Sequence, residues 1–115
     1  MKSYTDISQS KKLAKILPLE SADMCYLRED GQAKTMSPSK ISEILNVSKP
    51  QVIPCWSLAA LLSVLPYCPD LSKHTDGKWY ITTYPNGVHT CLMAYDSPVD
   101  ACYELILKLH ELNLL

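Results

Sequence analysis

The chain has 115 residues, 47% of them hydrophobic and 20% charged, and a formal net charge of −1. That length suits a single domain, residues 1–115, and the balance is that of a globular chain able to bury one core without staples. A near-neutral chain sets up no global field toward a nucleic-acid backbone or an anionic membrane, so neither is expected as a partner.

The opening MKSYTDISQSKK is polar and lacks the apolar segment of a secretory signal. The five cysteines (25, 55, 68, 91 and 102) are odd in number and never form C-x-x-C, which fits reduced thiols in a cytoplasm. The longest apolar run, Cys55 to Leu65, would span roughly 16 Å as a helix, about half a bilayer core, so no membrane crossing is expected. With seven Tyr, two Trp and no Phe, the aromatic packing must use rings that carry polar handles.

In chain order, residues 5–17 read as a first helix, capped by Thr5 or Asp6 and stopped by Pro18. Residues 24–28 are strand-compatible and precede a turn at Glu29-Asp30-Gly31; 32–36 could equally be a partner strand or a loop. Ser37-Pro38 is a cap followed by a pre-set first helical residue, starting a helix that runs to about Leu45. Pro54 and Pro66 bracket PCWSLAALLSVLP, read as a central core helix over 55–65, buried on nearly every side. A short edge strand near 70–74 is one reading of the next segment.

The clearest hairpin is KWYITTY and VHTCLMAY (78–95) around Pro85-Asn86-Gly87. A two-residue Asn86-Gly87 turn would set Ile81 opposite Leu92 and Tyr80 opposite Met93. A three-residue turn would set Ile81 opposite Cys91. The final helix, 97–113, has Ser97 as cap, Pro98 in the first position and Asp100 where a capping-box acid belongs. Val99, Cys102, Leu105, Ile106, Leu109 and Leu112 form its apolar stripe, opposite Asp100, Glu104, Lys108 and Glu111. Leu107, Leu114 and Leu115 lie off that stripe and would either close the domain or meet a second subunit.

ISEILNVSKPQV (41–52) places Ile41, Ile44, Leu45, Val47 and Val52 where a DNA-reading helix-turn-helix keeps its apolar residues. Lys34, Lys40 and Lys49 make the neighbourhood basic. Pro54 opposes that reading, because a recognition helix begun at Lys49 would meet a proline at its sixth position, costing about 3 kcal/mol. Only Lys49 and Gln51 would remain to touch phosphate or base edges. A helix followed by a loop is the expected structure.

Reactive constellations are thin. His89 and Cys102 are imaginable as a base and nucleophile, but Cys102 sits on the core stripe, where a thiol behaves as a small hydrophobe. A metal site from His89, Cys91, Cys102 and His110 fails, since Cys102 and His110 are two helical turns apart, roughly 12 Å. His74 reads as solvated, Glu29, Asp30 and Asp70 as turn residues, and Glu104 and Glu111 as a wetted helix face. Trp79, Tyr80 and Tyr84 lack the basic interleaving of a base-stacking surface and read as cross-strand packing. No catalytic, cofactor-binding or metal-binding residue is assigned.

KKLAKILPLESADM (11–24), IPCWSLAALLSVLP (53–66) and DSPVDACYELILKLHELNLL (96–115) resemble small uncharacterised proteins of phage-derived and other mobile elements of gut bacteria. An acid followed by Ser-Pro-x-x-Ala before an amphipathic helix is also similar to the phage ABA-sandwich domain, in which a helix, a hairpin and such a helix are layered. The resemblance implies an accessory protein and assigns no activity, cofactor or site residue.

The expected architecture is therefore α+β: an antiparallel sheet of three or four strands, centred on the 78–95 hairpin, packed against two or three helices. The expected function is a non-enzymatic, cytoplasmic accessory protein acting through protein–protein contact, with another protein or a second copy as partner. The alternatives are DNA binding through 37–52 and a small thiol or metal enzyme.

Overall fold

In the computed structural model, which describes residues 2–27, 31–48, 52–67, 69–84 and 90–115, Asp6 starts the first helix, α1 (Ile7–Leu13). Its carboxylate accepts from the Gln9 N–H at 2.8 Å, and the Gln9 side chain accepts from the Asp6 N–H at 3.1 Å. This reciprocal box satisfies two amides that would otherwise lack partners. The helix is shorter than the 5–17 expected. Beyond Leu13 the chain tightens through Lys15 N–H to Lys12 C=O and Ile16 N–H to Leu13 C=O before Pro18 ends it.

A single 3₁₀ turn, Leu19–Ser21, leads into β1 (Met24–Tyr26). Two short strands flank β1, both antiparallel to it: β2 (Lys34–Thr35) and β3 (Ile53–Cys55). The open question over 32–36 is thus answered by a two-residue strand. Between them α2 runs from Pro38 to Ser48, longer than expected, with Ser37 Oγ accepting from the Lys40 N–H at 3.3 Å.

The expected 55–65 helix is corrected at its start. Ile53 precedes a proline, which disfavours helical angles, so Ile53–Cys55 extends and pairs with β1 instead. Pro54 has no N–H to give a ladder, and β3 is the terminal strand of its sheet, the position such a residue tolerates. The helix that remains, α3, is Leu58–Val64, and it is not buried all round: Ala59 and Ser63 are exposed.

The second sheet has the order β4 (Asp70–Lys73), β5 (Trp79–Thr83), β6 (Thr90–Tyr95), all antiparallel. The turn between β4 and β5 closes with Gly77 N–H on His74 C=O and His74 N–H on Lys78 C=O, with Gly77 at φ +81°. Between β5 and β6, Ile81 faces Leu92, Thr82 faces Cys91 and Thr83 faces Thr90. That is the register of a two-residue turn at Asn86-Gly87, although residues 85–89 lie outside the described residues. The expected Tyr80–Met93 pair does not form. Trp79 faces Tyr95, so two steps along β5 match three along β6, and the extra residue is absorbed as a bulge where Ala94 takes φ +70°.

The last helix, α4 (Pro98–Glu111), starts as expected, with Ser97 Oγ accepting from the Asp100 N–H at 3.1 Å. It packs against β5 and β6. Val99, Cys102, Leu105, Ile106 and Leu109 are fully buried, as their stripe requires, while Leu112 departs from it and is 46% exposed. Asn113 at φ +58° ends the helix. Its N–H bonds to His110 C=O and the Leu114 N–H reaches back to Leu109 C=O, the two-bond pattern of a Schellman motif.

The architecture is α+β, as expected, but with two three-stranded antiparallel sheets where the sequence suggested one. The chain forms two compact units, Tyr4–Ala60 and Leu61–Leu115, the second including the residues before Tyr4. In the first, Tyr26, Ile53 and Cys55 form a core cluster with Tyr4, Ile7, Met24 and Ala33 against it, and α1 packs on β3. In the second, Ile81 and Thr83 are fully buried and alternate with half-buried Tyr80 and Thr82 along β5, on which α4 packs.

Candidate functional site

Among the described residues, the cysteine thiols are taken up by the core. Cys102 is fully buried on α4, and burial pushes its thiol up to about 12. Cys25 and Cys55 are also fully buried, and loss of hydration raises both. A thiol held protonated is a poor nucleophile and a poor metal ligand. His89 and the Cys91 side chain lie outside the described residues, and with them the Cys102–His89 pair and the four-ligand site. His110 is exposed on α4 while Cys102 is buried. Among the described residues, no three His, Cys, Asp or Glu side chains converge as metal ligands.

The most connected polar group was not legible as a site. Thr5 lies fully buried; its Oγ1 shares a 2.7 Å bond with Ser10 Oγ and accepts from the Trp56 N–H at 3.2 Å. Its carbonyl receives the Tyr26 hydroxyl at 2.7 Å and the Cys55 thiol at 3.4 Å. Close by, Trp56 Nε1 donates to Ser21 Oγ at 2.9 Å. Tyr26 and Trp56 therefore anchor their polar handles inside the unit, as expected of a chain without Phe. Among the described residues every buried side-chain nitrogen or oxygen has a partner. Such saturation makes the network a fastening for the N-terminal segment, with Tyr4 bridged to Ser57.

The segment weighed as a DNA reader forms helix α2, and then Val52 is buried and Ile53–Cys55 is a strand. Residues 49–51 lie outside the described residues, so Lys49 and Gln51 are not placed. Lys34 and Lys40 are exposed, Lys40 lying 3.7 Å from Glu43. The aromatic group at 79–84 disperses. Trp79 pairs across the sheet with Tyr95, whereas Tyr80 stacks on the exposed His74 ring at 3.7 Å and 22°. Asp70, read as a turn residue, is the first residue of the edge strand β4. Glu111 is exposed and Glu104 half-buried. Among the described residues of the first unit, one shallow recess is lined by Leu27, Gly31, Gln32 and Lys34 and another by Leu19, Glu20, Ser39 and Ser42. At about 220 and 240 Å³ they are smaller than common small-molecule sites.

What remains is a surface. The large apolar side chains left exposed among the described residues are Tyr67, Tyr84, Leu112 and Leu115, and all four belong to the second unit. Two hydrogen bonds fasten Tyr67. The buried Thr83, next to Tyr84, donates its hydroxyl to the Tyr67 carbonyl, and the Tyr67 hydroxyl donates to the carbonyl of Leu114, which lies between Leu112 and Leu115 along the chain (3.3 Å each). Tyr67 itself sits at φ +66°, a conformation that side chains with a Cβ rarely adopt. One bond from β5 to its carbonyl and one from its own hydroxyl to the segment after α4 hold it there, which is how local strain persists in a fold. Sequence reasoning singled out Leu114 and Leu115 as lying off the helix stripe, and missed Tyr67, because neither its left-handed backbone nor its partners leave a local signal. No family model matches the chain, and neither a curated protein nor a solved structure shows detectable similarity to it.

Proposed function

We propose that this protein is a non-enzymatic interaction module whose second unit presents the Tyr67, Leu112 and Leu115 surface to a protein partner. One observation carries the reading: every large apolar residue found exposed among the described side chains falls in that unit, and one of them is a tyrosine fastened in a strained backbone. Single exposed leucines need no explanation, but a leucine-bearing chain segment bonded to an exposed tyrosine favours association, because covering these groups releases their hydration. Tyrosine suits such a place, offering a broad rigid face at a low entropic cost. The resemblance of 11–24, 53–66 and 96–115 to accessory proteins of mobile elements supports the same setting, in which a small chain acts by binding another.

The test is site-specific photo-crosslinking in cells that natively make the protein. A benzophenone side chain placed at Leu112 should give one discrete protein adduct, and the same group at Ser8 or Lys12 in the first unit should not. Adding Leu115→Lys should abolish the adduct while the circular dichroism spectrum stays unchanged. Equal labelling from both units, or none from either, would refute the reading; an adduct of twice the chain mass would identify a second copy as the partner.

A further inference from the structure

We draw no further inference here: the strongest candidate, the exposed Tyr67, Leu112 and Leu115 surface around the end of α4, already carries the proposed function, and nothing in the structure shows what covers it.

Discussion

Asp23 holds Ser57 at two points: Oδ1 accepts from the Ser57 N–H at 2.9 Å, and Oδ2 accepts from its hydroxyl. Ser57 Oγ in turn accepts from the Ala60 N–H at 3.2 Å, capping α3. A carboxylate 34 residues upstream therefore sets where strand β3 gives way to helix. Hydrogen bonds to an ionised group contribute about 1.5–3 kcal/mol in a partly buried setting. We expect Asp23→Ala to lower the unfolding free energy by about that amount in urea titrations, and Asp23→Asn to lower it less, since the amide keeps one acceptor. Unchanged stability in Asp23→Ala would show that α3 starts without this clamp.

Two backbone positions should respond with opposite sign. Gly77 occupies φ +81°, and a Cβ built there would meet nothing within 4 Å, so the loss in Gly77→Ala is conformational alone. We expect it to cost about 1 kcal/mol. Ala94, at φ +70° in the β6 bulge, already bears that strain, and Ala94→Gly should stabilise by up to about 1 kcal/mol. Thermal unfolding of both variants checks the pair, and a shift of the same sign in both would contradict the assigned bulge.

Thiol labelling should follow burial. Cys25, Cys55 and Cys102 are fully buried with raised pKa values, so they should resist iodoacetamide in the folded protein at pH 8. Peptide mapping after a short pulse should find those three unmodified, and labelling in denaturant should reach all five cysteines of the chain. Rapid native modification of Cys102 would overturn its placement on the inner stripe of α4.

Alkaline pH should unfold the protein earlier than surface titration alone would. The folded pKa of Cys102 is raised from 9.0 to about 12, so between those values the unfolded chain releases a proton that the folded chain retains. Stability is therefore fully present below about pH 9 and falls as pH rises toward 12. One such group contributes a slope of about 1.4 kcal/mol per pH unit. Cys25, Cys55 and Tyr26 are shifted in the same direction by burial, adding to the loss. Urea midpoints measured across pH 8–11 in wild type and Cys102→Ala should show a shallower fall in the variant.

Leu109 and Leu112 separate core from surface on one helix. Leu109 is fully buried and Leu112 is 46% exposed. Leu109→Ala should cost about 2–5 kcal/mol, whereas Leu112→Lys should stay within about 0.5 kcal/mol of wild type. A large loss in Leu112→Lys would mean that this leucine supports the fold and is not free to meet a partner.

Much of the chain was legible wherever a signal and its consequence lie within one turn of each other. Ser97-Pro98 starts α4, Ser37-Pro38 starts α2, and the Asn86-Gly87 register agrees with the pairing of Ile81 with Leu92. For the two helices the deciding group is a cap or a pre-set φ that acts on its immediate neighbours. The three-turn stripe of α4 was readable for the same reason, up to Leu112, where the helix ends and periodicity no longer implies burial.

Tertiary structure alone decided the segment 55–57. The apolar run from Cys55 reads as a helix to Leu65, yet β1 draws Ile53–Cys55 into a sheet, Thr5 takes the Trp56 N–H, and Asp23 takes that of Ser57. Those backbone amides are satisfied by groups from about 30 to 50 positions upstream, and no local propensity can report a partner that only folding brings near. The same holds for Tyr67, whose strained backbone is fixed by Thr83 and Leu114, and for the surface it displays.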